Sequence, residues 1–291
     1  MNTLTGCVVF VTGASRGIGK ATAIRFAAEG ADIAICARSL SQVVARSSGE
    51  QTIEAINQLG RRVLAFEADL ADPAHDRAAM IDRVERELGP IDILVNNAAL
   101  GGYKPFTAWS ELELRAMQEV NVWAPWQLAQ RVLPGMVERG RGWVLNVSSA
   151  AAIGPTGPPF DGGIVAKGGT AYGGTKAMLN RITQSMAAEY HGTGVAINAV
   201  APTAATRTEK VIVSNKRGEI PEHLTEPIET MVEANLALCS CDPATTTGQI
   251  AYSLQLLRDL DRPVFDLHGR DLIEGWQPVD LPARLAKMGR R

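Results

Sequence analysis

Six short apolar runs, separated by longer stretches of helical period, govern what this chain can fold into. They are CVVFV (7–11), DIAIC (32–36), RVLAFEA (62–68), IDILVNN (91–97), GWVLNVSS (142–149) and GVAINAVAP (194–202). Each is almost continuously hydrophobic, as a parallel strand buried on both faces must be. Helix-period stretches fill the gaps at 17–29, 50–59, 73–88, 111–138 and 171–191. Strand and helix alternating in this way predict right-handed βαβ units and a doubly wound parallel sheet. The fold class is therefore α/β, with helices on both faces of one sheet in a single domain.

That domain is expected over 1–258. After Pro202 the pattern loosens: 203–227 is mixed in charge, carries Pro221 and Pro227, and reads as a substrate flap. Residues 228–239 are helical again, TGQIAYSLQLL (247–257) supplies a last strand and short helix, and the proline-interrupted 259–291 reads as a surface tail. A formal charge of -2 gathers neither nucleic acid nor anionic lipid over distance, so neither is an expected partner. No apolar run approaches the roughly 18 residues of a spanning helix, and MNTLTGCVVF lacks the layout of a signal peptide. No membrane association is expected, and cytoplasmic residence is. Cys7, Cys36, Cys239 and Cys241 lack the paired CxxC spacing of a zinc site and read as reduced thiols, with no metal.

The first run leads into a turn with three glycines and then a helix, within CVVFVTGASRGIGKATAIRFAAEGADIAIC. Gly13, Gly17 and Gly19 let backbone approach a pyrophosphate, and the following helix N-terminus offers free N–H groups and a positive dipole end. This is the dinucleotide fingerprint of a Rossmann-type fold. An NAD site places a carboxylate at the end of the second strand, where it would repel a 2′-phosphate. Here that end reads CARS, with Ala37 at the acid's place and Arg38 next, and Arg16 inside the turn adds a second guanidinium. Two cations without a carboxylate favour NADP(H), with NAD(H) as the alternative.

TGASRGIG (12–19), NNAA (96–99), Asn121, NVSS (146–149), YGGTK (172–176) and NAVAP (198–202) follow in an order that resembles the short-chain dehydrogenase/reductase family over roughly residues 5 to 205. The resemblance implies cofactor contacts from Gly13, Ser15, Arg16, Gly17, Ile18 and Gly19 in the turn and from Arg38 after the second strand. It further implies contacts from Asp69 and Leu70 at the adenine edge, Asn97 on the adenosine side, Pro202, Tyr172 and Lys176. Asp69, Leu70 and Asn97 equally suit turn positions. The implied catalytic set is Asn121, Ser149, Tyr172 and Lys176.

Physical chemistry supports the Tyr-Lys part of that set. Tyr172 and Lys176 lie four residues apart and share a helix face. A phenol of pKa about 10 carries protons poorly at neutral pH, and a nearby ammonium is expected to lower it. Gly173 and Gly174 weaken that helix and are expected to leave its surface bare, so that cofactor or a partner helix packs against backbone. Ser149 ends a buried strand and can donate to a substrate carbonyl; it is preferred over Ser148, although 23 residues separate it from Tyr172, more than the family usually has. The added residues read as a glycine- and proline-rich loop at the mouth of the site. Asn121, in an apolar helix-forming stretch, must find partners, and the resemblance implies a water relay to the lysine.

Ala99 replaces the family's usual glycine, tolerable where φ is negative, and Thr203 replaces another. Whether Thr206 or Thr208 acts near the nicotinamide is open. Tyr103, Phe106, Trp109 and Phe160 with the flap are expected around a partly apolar substrate. The reaction implied is hydride transfer between NADP(H) and a ketone or secondary alcohol, the small-molecule substrate. A non-catalytic NADP(H)-sensing or scaffold protein is the alternative. The family commonly assembles as homodimer or homotetramer through helices near 105–135 and 171–190.

Overall fold

The apolar runs become strands where they lie. The computed structural model describes residues 3–38, 48–155, 157, 158, 160, 168–214, 220 and 224–276. Strands β1 (Val8–Thr12), β2 (Asp32–Ala37), β3 (Val63–Glu67), β4 (Ile93–Asn96), β5 (Gly142–Val147), β6 (Val195–Ala201) and the later β9 (Ile250–Tyr252) form one sheet. Their order is β3-β2-β1-β4-β5-β6-β9, and every pairing is parallel. The chain reverses direction across the sheet between β1 and β4, which opens a crevice at the strands' carboxyl ends.

Why the strands are apolar throughout is visible in β1. Val9 and Val11 enter one core with Phe26, Ile56, Met231 and Leu257. Val8 and Phe10 enter another with Met80, Ile81, Leu128 and Met136. Helices α1 (Gly17–Ala28), α2 (Ser48–Gln58), α8 (Ile228–Leu238) and α9 (Ser253–Asp259) cover the first face. Helices α3 (Arg77–Glu87), α5 (Ala124–Glu138) and α6 (Thr170–Glu189) cover the second. Helix α3 starts later than its period suggests, because Asp76 caps it by accepting from the Ala79 amide at 2.9 Å.

Two expectations change. The stretch 111–138 is not one helix: α4 (Glu111–Gln118) passes through a π turn, Glu119–Trp123, into α5. The stretch expected as a surface tail from 259 is packed through Trp276. Val264 is fully buried, and Ile273 and Trp276 lie against the first core. Arg262 Nε reaches Glu233 Oε2 at 3.2 Å, and Glu233 Oε1 accepts from the buried Arg25, which also pairs with Glu29. These side chains tie the segment to α1 and α8. Residues 277–291 lie outside the described residues.

The stretch 203–227, expected as a flap, has one firm root. Strands β7 (Ala205–Thr206) and β8 (Thr225–Glu226) pair in parallel, with α7 (Glu209–Ser214) between them in sequence. Fully buried Glu226 accepts from Ser253 Oγ at 2.9 Å to both carboxylate oxygens and from the Ala204 amide at 3.1 Å. Thr203 serves the same knot: its Oγ1 accepts from the Leu254 amide at 3.1 Å and its amide donates to Ser253. The threonine that departs from the family pattern therefore caps α9.

Burial pushes the Glu226 carboxyl up from 4.5 to about 8, against the opposing hydrogen bonds. The folded state keeps this proton where the unfolded chain releases it, so Glu226 makes stability fall as pH rises from 4.5 towards about 8. Glu226→Gln, which cannot ionise, should remove that part of the slope in denaturation curves taken across this range; an unchanged slope would refute the assignment.

Candidate active site

The glycine turn is shaped by contact with the loop after β4. Gly13 has φ +67°, and a Cβ on it would stand 2.8 Å from Ala98 Cα. A Cβ on Gly19 would stand 2.3 Å from Asn97 Nδ2. Asn97 Nδ2 donates to the Thr12 and Gly13 carbonyls at 2.9 and 3.2 Å, and Thr12 Oγ1 accepts from the Asn97 and Ala98 amides at 3.0 Å each. Asn97 thus braces the turn, and Thr12, which the sequence reading passed over, braces Asn97. Ala99 keeps a negative φ, since Asp261 is the positive-φ residue other than glycine among those described.

This cradle fits a dinucleotide. Helix α1 begins at Gly17, and Arg16 at its N-cap makes no side-chain capping bond, so the first-turn amides are left for an anion. Ser15 and Ile18 are half-buried in the turn. Arg16 is exposed, as is Arg38 immediately beyond β2. Asp69, exposed after β3, accepts from the Ala71 amide at 3.0 Å, whereas the Leu70 side chain is buried in the second core. Pro202 is half-buried at the end of β6. Thr206 is buried near Glu226, but a Cβ on Gly17 would touch Thr208 Cγ2 at 3.5 Å, so Thr208 is the threonine against the glycine turn.

At the carboxyl end of β5 the two serines divide. Ser148 Oγ donates to Asn180 Oδ1 at 2.6 Å, whereas Ser149 Oγ accepts from the Ala151 amide at 3.2 Å and lies near enough to the Tyr172 phenol to act on its proton affinity. Lys176 is 1% exposed, and its Nζ donates to the Val147 carbonyl at 2.7 Å. Burial pushes its pKa down to about 8. The expected lowering of the tyrosine is not found. Burial raises Tyr172, the Ser149 hydrogen bond opposes this, and the neighbouring Tyr103 adds to the rise. The lysine charge is directed at a backbone carbonyl instead.

Asn121 lies in the π turn, fully buried, and its partners are all local to the site. Its Oδ1 accepts from the Leu100 amide at 2.9 Å, and its Nδ2 donates to the Leu100 carbonyl at 2.8 Å and to Thr175 Oγ1 at 2.9 Å. Thr175 Oγ1 passes the link on by donating to the Tyr172 carbonyl at 2.8 Å. Thr175 is not among the expected site residues. Its signal was position: a hydroxyl between the tyrosine and lysine, facing into α6.

The two glycines of α6 have different work. A Cβ on Gly173 would stand 2.4 Å from the Ala151 carbonyl oxygen, so the close neighbour is the chain's own 3-10 turn Ala150–Ala152. Gly174 is exposed and meets nothing within 4 Å. Around the tyrosine, the Tyr103 ring packs edge-on at 6.2 Å between centroids, and Lys104 Nζ sits 4.9 Å from the Trp109 ring centre. Phe106 and Phe160 are exposed, and much of the loop 150–170 lies outside the described residues. A phenol, a hydroxyl and a buried ammonium thus converge at the sheet edge, where they can orient a carbonyl and exchange a proton with its oxygen.

A family model described as short chain dehydrogenase matches residues 7–217. The chain is similar to "Ketoacyl reductase HetN" of Nostoc sp. (strain PCC 7120), 33% identical over 72% of this chain and 67% of that one. It is also similar to "7alpha-hydroxysteroid dehydrogenase" of Escherichia coli (strain K12), 31% identical over 85% of this chain and 92% of the other. Among solved structures, a blue fluorescent protein from a metagenomic library in complex with NADPH superposes with TM-score 0.74 at 28% identity, covering 87% of this chain and 97% of that one. A 3-oxoacyl (acyl-carrier-protein) reductase from Agrobacterium tumefaciens C58 with NADP bound gives TM-score 0.72 at 27% identity, over 86% and 93%.

Because Gly173 admits a carbonyl where a methyl group would stand, Gly173→Ala should lose about 1–3 kcal/mol of stability in chemical denaturation. It should also weaken activity, since Ser149 caps the turn that must shift. A variant as stable and active as the parent would contradict the packing described.

Proposed function

The chain belongs to the short-chain dehydrogenase/reductase family and is an NAD(P)-dependent oxidoreductase, and on that premise we propose that it is an NADPH-dependent carbonyl reductase, reversibly an alcohol dehydrogenase. The observation that carries this reading is the buried Lys176 ammonium held at the Val147 carbonyl, one turn of α6 from the Tyr172 phenol and two residues before Ser149, which faces that phenol. NADPH, when bound, supplies the hydride to the carbonyl carbon. Tyr172 gives its proton to the carbonyl oxygen, and Ser149 orients that oxygen by donating to it. The raised phenol keeps its proton at neutral pH, which suits a general acid in the direction of reduction. Lys176 holds the nicotinamide ribose hydroxyls, and Asn121, through Thr175, maintains the geometry and the proton route.

For the cofactor, Gly13, Ser15, Gly17, Ile18 and Gly19 hold the pyrophosphate against the start of α1. Arg16 and Arg38 meet the 2′-phosphate. Asp69, Leu70 and Asn97 support the adenosine end, and Pro202 and Thr208 the nicotinamide end. The NADP-bound neighbours support this preference. Tyr103, 44% exposed and edge-on to Tyr172, is the first wall a substrate meets and favours a partly apolar ketone. The exposed pair Trp123 and Trp126 together with Met178 on α6 supports a homodimer or homotetramer built on that face. Cytoplasmic residence belongs to the same reading, supported by four unpaired cysteines.

The rival reading, a non-catalytic NADP(H) sensor, has no use for the complete Asn121, Ser149, Tyr172 and Lys176 set. Tyr172→Phe separates the two: turnover of a ketone panel, followed by nicotinamide absorbance, should vanish while NADPH affinity stays within about twofold. Retained turnover would remove Tyr172 from its role. Arg38→Ala should raise the KM for NADPH at least about tenfold and leave that for NADH nearly unchanged, because it removes a charged bond to the 2′-phosphate alone. Equal effects on the two cofactors would refute the assignment of Arg38.

A further inference from the structure

Arg77 is a guanidinium only 2% exposed, at the start of α3 and outside the glycine turn and the NNAA, NVSS and YGGTK stretches. Its Nη2 donates to the Leu70 carbonyl at 2.9 Å and the Asp72 carbonyl at 3.3 Å, both in the loop after β3. The same nitrogen lies 2.8 Å from Glu119 Oε1, and Nη1 donates to Gln127 Oε1 in α5 at 2.6 Å. One cation therefore joins the loop at the adenosine end to the first residue of the π turn and to α5 beyond it. Glu119 is the first residue of the π turn, and Asn121 stands two places further on.

A π turn carries an extra residue that an ordinary helix would expel, and it persists where tertiary contacts hold it. The salt bridge from Arg77 to Glu119 supplies such a contact at the turn's first residue. If the turn closed to α-helical register, Asn121 would rotate about the axis and leave Leu100 and Thr175. A buried charge whose partners come from separate elements also fixes those elements relative to one another, since releasing any partner leaves the charge less satisfied.

We infer that Arg77 is a positioning residue for the reaction, holding the π turn that presents Asn121 to Leu100 and Thr175 while anchoring the loop that supports the adenosine end of the cofactor. The inference rests on the proposed function for its kinetic consequences, and on the hydrogen bond between the Leu100 amide and Asn121 for its structural one.

Arg77→Met, which keeps the apolar stem, should speed amide hydrogen exchange at Leu100 at least about tenfold in the cofactor-free protein. It should also lower kcat at least about tenfold, through misplacement of groups at the site, and weaken NADPH binding in a fluorescence titration. A residue with only a packing role would lower the melting temperature and leave Leu100 exchange, kcat and NADPH affinity within about twofold, and that result overturns the inference. Should Arg77→Met fail to fold, Glu119→Gln decides alone. It removes the charge at the π turn without touching the loop, so Leu100 exchange should rise and kcat fall while NADPH affinity holds. Unchanged exchange at Leu100 in Glu119→Gln also overturns the inference. Should the unsubstituted enzyme turn over no ketone or secondary alcohol, the functional reading fails, and Leu100 exchange still decides the role of Arg77.

Discussion

An ammonium ion taken almost wholly out of water is the constraint around which the site is arranged. Removing a charge from solvent costs several kcal/mol unless close dipoles replace it. Lys176 meets that cost with the carbonyl of Val147, the last residue of β5, and still has its pKa lowered to about 8. For the contact to exist, α6 must lie hard against the carboxyl end of the sheet. Gly173 makes that approach possible by leaving room for the Ala151 carbonyl, and Thr175 and Asn121 fix the helix against the loop after β4. The phenol and the Ser149 hydroxyl then fall into place as a consequence of where the lysine must be.

Buried polar side chains do the same service across the sheet. Asn96 donates to Asn146 between neighbouring strands at 2.9 Å, and Asn146 donates to Thr183 of α6 at 2.9 Å. Such groups are costly unless partnered, so they admit one register and one docking of the helix. The strand ends that carry Thr12, Asn97 and Ser149 are thereby held at one level along the crevice.

The six strands and the glycine turn were legible because continuous apolarity and a required close approach leave direct marks in sequence. The break at Glu119–Trp123 was not, because Val120 and Val122 keep an apolar pattern through a turn that adds one residue. The packed segment after Asp259 was hidden by its prolines and charges: Val264, Ile273 and Trp276 are too scattered to show a period, and Arg262 is held by a carboxylate from a distant helix. The choice between Ser148 and Ser149 follows the family pattern, and the geometry turns Ser148 to Asn180 while Ser149 stays beside Tyr172. The direction of the tyrosine shift is not legible, because sequence spacing reports that two groups share a helix face but not how deeply each is buried.

The knot at Glu226 has a consequence for how such a protein diversifies. The chain leaves the body at Ala204–Thr206 and returns at Thr225–Glu226, and both points are fastened to one carboxyl group. Departure and return share that spot, so lengthening the chain beyond Thr208, which lies against the glycine turn, costs the body little: doubling a loop costs only about 0.6 kcal/mol of closure entropy. Evolution is free to lengthen this excursion by insertion while the carboxyl group that roots it, and Thr208 against the glycine turn, stay where they are.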